Sequence, residues 1–257
     1  AALDLANGTV ANGTNIRIWN YNLTEGQRWK LESTTTSTAA PKISGQTKPA
    51  TMKAGSSFSI RGTVTSDLPL TEVTVGVYDT SGNLKTGKTV RPNTTSYDLR
   101  NVDTSIKFGS LGTGGYRYKV TAKTSAGTTT LVNSTFMVLG NGRTVANGTY
   151  YIESMKNNGY GLNVSGNSSA SGANVVLGAK SSSNYMKYVF TYQSNGYYKI
   201  KNVGSGKYLG VTGQKSASGS NVEQASGGTR WQVIPDGKGS YYLVPECSNT
   251  AAVDLTN

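Results

Sequence analysis

The chain has 257 residues, with 32 glycines, 16 tyrosines and only 15% charged residues, a composition that fits an all-β extracellular protein better than a disordered one. It contains no histidine and one cysteine, Cys247, which excludes Ser-His-Asp triads, histidine-containing metal clusters and an intrachain disulfide. The formal net charge of +12 favours anionic partners such as teichoic acids or acidic polysaccharides, but Lys30, Arg61, Lys88, Arg117, Lys156 and Lys201 are scattered and form no run that would mark a specific nucleic-acid surface.

In chain order, Leu3-Asp4-Leu5, Asn15 to Trp19 and Gln27 to Leu31 read as short strands separated by Asn-Gly and Gly-Thr turns. Residues 33–50 are rich in Ser, Thr, Pro and Lys without periodicity, which predicts an exposed linker. Residues 51–140 change character. Phe58 to Val64, Val73 to Tyr78, Tyr116 to Ala122 and Thr130 to Val138 alternate apolar and polar side chains, the pattern of a β-sandwich. The phrase from Asp103 to Phe108, followed by Leu111 and Gly115-Tyr116-Arg117-Tyr118, resembles the entry to the penultimate strand of bacterial immunoglobulin-like domains. That resemblance implies a tyrosine corner at Tyr116 or Tyr118.

Residues 144–257 repeat. Tyr150-Tyr151-Ile152, Tyr197-Tyr198-Lys199-Ile200 and Tyr241-Tyr242-Leu243-Val244 each open a unit, with 47 residues from Tyr151 to Tyr198 and 44 from Tyr198 to Tyr242. An 11-residue interval separates Asn163 from Asn174 and Gly210 from Asn221, and the same interval separates Asp4 from Asn15. The opening Ala1-Ala2-Leu3-Asp4-Leu5-Ala6-Asn7 is echoed by Ala251-Ala252-Val253-Asp254-Leu255-Thr256-Asn257. Residues 1–32 therefore read as the last third of a repeated unit whose first two-thirds are residues 144–257. Repeats of this length imply supersecondary units that cannot bury their apolar faces alone.

Three such units resemble the ricin-type β-trefoil lectin family, each of whose units ends in Gln-x-Trp. The motif is intact as Gln27-Arg28-Trp29 and weakened to Thr229-Arg230-Trp231 and Met186-Lys187-Tyr188. The resemblance implies an all-β fold, a trefoil split between the chain ends plus an immunoglobulin-like sandwich, with Trp29, Tyr188 and Trp231 as core aromatics. It also implies a sugar site in the unit formed by residues 1–32: Asp4 for two hydroxyls, Trp19 to stack on the ring, Gln27 beside Trp29, and Asn22 or Asn20 in place of the asparagine that the family often carries where Gly26 stands. Asp254 repeats Asp4 in the second copy. The other two units, with Asn163 and Gly210 in the Asp place, are expected to be scaffold.

The expected function is non-catalytic carbohydrate binding and adhesion, without cofactor or metal, by a module of a secreted or surface protein of a Gram-positive bacterium and one unit of a tandem array. Its expected partners are glycans or anionic cell-wall polysaccharide and neighbouring copies of itself, head to tail. No apolar run approaches twenty residues, so no membrane span is expected. The alternatives are a structural repeat of an extracellular filament that completes a split trefoil between neighbours, and an accessory fragment of a cell-wall or polysaccharide hydrolase.

Overall fold

The computed structural model describes residues 1–31, 39–248 and 250–255. It divides into two compact units, Ala1–Thr38 and Ala39–Asn257.

In the first unit, β1 (Ala2–Leu5) pairs antiparallel with β2 (Ile16–Trp19), placing Ala2 opposite Trp19 and Asp4 opposite Arg17. Strand alternation sends Leu3, Leu5, Ile16 and Ile18 to one face and Asp4, Arg17 and Trp19 to the other. A turn at Ala6–Gly8 joins β1 to the following loop, with Asn7 in the left-handed region at φ 59° and ψ 17°. Asparagine tolerates that conformation because its short side chain bonds locally. The chain returns through a turn at Glu25–Gln27, and the Trp29 indole N–H donates to the Leu3 carbonyl at 3.2 Å.

The second unit begins with a sandwich. Its strands are β3 (Lys42–Ser44), β4 (Met52–Lys53), β5 (Thr63–Leu70), β6 (Glu72–Asp79), β7 (Leu84–Val90), β8 (Thr94–Asp98), β9 (Gly114–Thr124) and β10 (Gly127–Leu139). One sheet has the order β4-β10-β9-β6-β7 and the other β3-β5-β8. Val64 and Leu70 of β5 share one buried core with Val73, Val75 and Val77 of β6, Tyr118 and Val120 of β9, and Val132 and Phe136 of β10. Tyr116 forms the corner: its hydroxyl donates to the Gly112 carbonyl at 2.8 Å. Tyr118 points into the core, where burial pushes its phenol up.

The linker expectation for residues 33–50 is corrected here. Lys42–Ser44 pairs with β5, Ile43 packs against the sandwich core, and Pro41 and Pro49 are buried. A three-residue edge strand with one apolar side chain is too short for alternation to register. Residues 33–38 of that expected linker lie outside the described residues.

The repeats follow as β11 (Gly148–Tyr151), β12 (Glu153–Ser154), β13 (Asn157–Val164), β14 (Val175–Ala179), β15 (Lys187–Tyr192), β16 (Tyr197–Asn202), β17 (Tyr208–Val211), β18 (Val222–Ala225), β19 (Trp231–Pro235) and β20 (Tyr241–Pro245). Strands β13 and β17 each end in the turn seen after β1. Gly166 sits there at φ 61°, ψ 16° and Gly213 at φ 63°, ψ 18°, so one backbone unit is written three times in the chain.

Tyr188, Phe190, Tyr198, Ile200, Leu209, Trp231, Val233 and Leu243 make the core of these lobes. The Trp231 indole donates to the Leu209 carbonyl at 3.0 Å, repeating the bond from Trp29 to Leu3. Trp231 is 0% exposed and Tyr188 1%, as expected of core aromatics, but Trp29 is 50% exposed. Within Ala1–Leu31 too few apolar residues surround Trp29 to bury it.

Trp231→Ala is expected to cost about 3–5 kcal/mol. Trp29→Ala is expected to leave the main unfolding transition within about 0.5 kcal/mol of the parent; urea unfolding followed by circular dichroism checks both. In the sandwich, Asp103 accepts from the Ile60 amide at 2.7 Å and from Arg61 at 3.0 Å. Burial opposes its ionisation, but these bonds outweigh that and hold its carboxyl below the usual range. A depressed carboxyl stabilises the fold above its unfolded pKa and loses that contribution as pH falls through its folded pKa. Asp103→Ala is therefore expected to cost about 1–3 kcal/mol at neutral pH, and the gap from the parent closes as unfolding is measured at pH below the ordinary carboxylate range.

Candidate carbohydrate site

Asp4 is 6% exposed, and its carboxylate accepts from Arg17 Nε at 3.1 Å. The Arg17 guanidinium lies 4.1 Å from the Trp19 ring centroid. The register of β1 and β2 causes this grouping: Arg17 is directly opposite Asp4, and Trp19 stands two residues on, on the same face. The result is a carboxylate acceptor, a fork of donors and a half-exposed indole side by side. A pyranose has a matching C–H face and hydroxyl rim. In this structure Arg17 occupies the indole face, so a sugar stacking there displaces or shares the guanidinium.

The other expected contacts have different work. Gln27 Oε1 accepts from the Asn22 amide at 3.0 Å, and Gln27 Nε2 donates to the Asn20 carbonyl at 2.8 Å. Asn22 Oδ1 accepts from the Thr24 amide at 3.3 Å and from the Thr24 hydroxyl at 2.8 Å. Gln27 and Asn22 thus fasten the loop that carries Gly26 past Asp4. A Cβ at Gly26 would stand 3.7 Å from Asp4 Oδ1, so glycine leaves that side of the carboxylate open. Asp254 lies in the second unit and is exposed, following Val253, whose amide donates to the Leu243 carbonyl at 2.9 Å.

Sequence reasoning missed Arg17. The signal was present in the alternation, since a hairpin that aligns Leu5 with Ile16 must align Asp4 with Arg17. It also treated Gly210 in isolation. In that lobe Glu223 lies opposite Gly210 and Tyr208 opposite Ala225, so the acid and the aromatic have changed strands relative to Asp4 and Trp19. Glu223 accepts from the Thr212 hydroxyl at 2.8 Å, and the Lys199 and Lys201 ammoniums lie 5.4 and 5.9 Å from the Tyr208 ring. The remaining lobe pairs Asn163 with Val176 and Gly161 with Gly178, with no aromatic at either place. Among the described residues no three His, Cys, Asp or Glu side chains cluster as metal ligands, and no helix is long and apolar enough to cross a membrane.

Residues 184–257 match the family described as ricin-type beta-trefoil lectin domain-like. No curated protein matches the chain. Among solved structures, the designed 3-fold symmetric protein ThreeFoil is 30% identical, covering 42% of this chain and 79% of its own, at a TM-score of 0.41. The chain in the PSL1a-E64 complex is 19% identical over 40% of this chain and 44% of its own, at 0.33. 1,3Gal43A, an exo-beta-1,3-galactanase from Clostridium thermocellum, is 14% identical over 82% of this chain and 50% of its own, at 0.36. The chain thus spans half or less of the latter two. With the turn at Thr212–Gln214, its core Trp231 and the family match, the segment 184–257 is a ricin-type β-trefoil lectin-like domain.

Proposed function

We propose that the chain is a non-catalytic, carbohydrate-binding adhesion module of a secreted or surface bacterial protein, with its glycan held on the Asp4–Arg17–Trp19 face. The observation that carries this reading is the convergence of a carboxylate, a guanidinium and an exposed indole on one strand face, in a chain with a ricin-type match elsewhere. A single face of this kind binds weakly, and useful affinity comes from repetition of modules along a tandem array. In this reading the sandwich is an immunoglobulin-like spacer.

A second reading, assembly through a split trefoil, is favoured by the exposure of Trp29. Its counterpart Trp231 makes the same bond in full burial. The apolar face of the first unit also carries an open depression of about 290 Å³ lined by Leu5, Val10, Ile16 and Trp29. In this reading the unit is the closing lobe of a trefoil whose other lobes come from a neighbouring copy, in a head-to-tail arrangement that propagates.

Asp4→Ala and Trp19→Ala are each expected to abolish retention on a glycan array that retains the parent; parent-like retention by both variants rejects the site. For the second reading, light scattering across a concentration series is expected to show growth into regular fibres in negative stain. A monodisperse monomer at every concentration rejects it.

A further inference from the structure

We infer that the outer face of the sheet β4-β10-β9-β6-β7 binds an acidic polysaccharide, a chain of pyranose rings that carry carboxylates. Tyr118, Val120 and Ala122 of β9 point into the sandwich core, so alternation turns Gly115, Arg117, Lys119 and Lys123 outward. The register sets Tyr78 of β6 beside Arg117 and Gly76 beside Lys119. Beyond them on β7, Leu84 is opposite Tyr78 and Gly87 opposite Gly76. On the other flank, Thr135 and Asn133 of β10 are opposite Arg117 and Lys119.

The glycines decide the shape. A Cβ at Gly76 would stand 2.8 Å from Tyr78 Cε2, and one at Gly87 would stand 2.9 Å from Leu84 Cδ1. The Tyr78 ring therefore lies over Gly76 and Leu84 over Gly87, and together they make a flat apolar platform close to the backbone. Gly115 admits a second ring from the lobes: a Cβ there would stand 3.5 Å from Tyr242 Cε2, and Tyr242 is 37% exposed. Tyr78 lies level with residues 117–119 and Tyr242 level with Gly115, so the rings are about 10 Å apart along the strand. That separation suits two rings of one chain. It is held by a clamp across the seam. Gln232 Nε2 donates to the Gly140 carbonyl, at the end of β10, at 3.0 Å and to the Asn195 carbonyl at 3.3 Å. The Thr80 hydroxyl donates to the Asp236 carbonyl.

Charge selects the ligand. Among the described residues, the side chains of Arg117, Lys119 and Lys123 form no ion pair. The neighbouring carboxylates are occupied: Glu72 pairs with Arg91 at 3.1 Å, and Asp79 accepts from the Ser81 and Asn83 amides at 3.0 and 2.9 Å. Unpaired cations attract an anion, and the guanidinium fork matches a carboxylate. Exposed phenol rings receive the C–H face of a pyranose. A neutral polysaccharide leaves the cations unused, and a polyphosphate leaves the rings unused. A nucleic acid carries its charge on a backbone to one side of its bases, whereas Arg117 lies between the two rings, where charge borne on the rings themselves falls. A carboxylated chain uses the whole face, with its hydroxyls on Asn133 and Thr135. None of these residues belongs to the Asp4–Trp19 face, so either site stands if the other fails.

The test is a two-dimensional amide NMR titration of the full chain, at physiological ionic strength, with an oligogalacturonate and an oligomannuronate. A neutral dextran oligosaccharide, a polyphosphate and an oligothymidylate are titrated alongside. At least one of the two uronates is expected to shift the Gly76, Gly115, Arg117 and Lys119 signals along one saturable curve. Arg117→Gln with Lys119→Gln, both at the surface, is expected to weaken that binding about tenfold, the scale of two exposed charge pairs. Tyr242→Ala is expected to weaken it severalfold, as is Tyr78→Leu, which keeps Gly76 covered. Asp4→Ala is expected to leave it unchanged. The inference is overturned if neither uronate shifts these signals, or if dextran, polyphosphate or oligothymidylate shifts them at equal or lower concentration. It is equally overturned if uronate binding survives Tyr242→Ala and Tyr78→Leu, or, should Tyr78→Leu fail to fold, survives Tyr242→Ala.

Discussion

A single hydrogen bond organises the repeated part of this protein: a tryptophan indole N–H given to the carbonyl of the first strand of its own unit. Trp231 makes it to Leu209 and Trp29 to Leu3. An indole can be buried only where its N–H finds an acceptor, so the bond fixes the distance and angle between the start and end of each lobe. The intervening residues then have little freedom. They form the same turn with its left-handed middle residue, the same return strand and the same 11-residue spacing. Tyr188 fills the corresponding place in the remaining lobe, and burial pushes its phenol up.

The same bond in two surroundings separates what a lobe is from what a trefoil needs. At Trp231 the bond is enclosed by a core drawn from several strands; at Trp29 the bond is intact but its own unit supplies no such enclosure. A lobe's backbone is therefore a local property of its sequence, whereas burial of its aromatic is a property of the company it keeps. This is why the polar face of the first unit can be built completely, with Asp4, Arg17 and Trp19 in register, while its own residues are too few to cover its apolar face.

Much of this was legible in the residues. The repeat and the alternation of β6, β9 and β10 follow from spacings that sterics translate directly into strands and turns; the corner at Tyr116 came with the resemblance of its surroundings to immunoglobulin-like domains, and the alternation read over Phe58–Val64 meets β5 only at Thr63 and Val64. The roles of Gln27 and Asn22 were not legible, because an amide that contacts a sugar and an amide that fastens its own loop look identical in one dimension. The transposed Glu223 and Tyr208 were hidden for a related reason: a position-by-position comparison ignores the partner strand, and it is the strand pair that presents a face. Strand β3 was hidden by brevity, and at Trp29 a sequence motif records the bond and not the neighbours.

The clamp made by Gln232 has a consequence for how the second unit comes apart. Its amide ties the end of β10, through Gly140, to the turn before β16, through Asn195, while Thr80 on the sandwich side donates to the Asp236 carbonyl in the lobes. The bond to Gly140 and the bond from Thr80 cross the seam from buried or half-buried positions, and neither survives the loss of either partner. The sandwich and the lobes therefore share one cooperative transition. The lobes borrow part of their persistence from a neighbour of a different fold, and a force applied at either side reaches the other through side-chain amides and hydroxyls before it strains the connecting backbone.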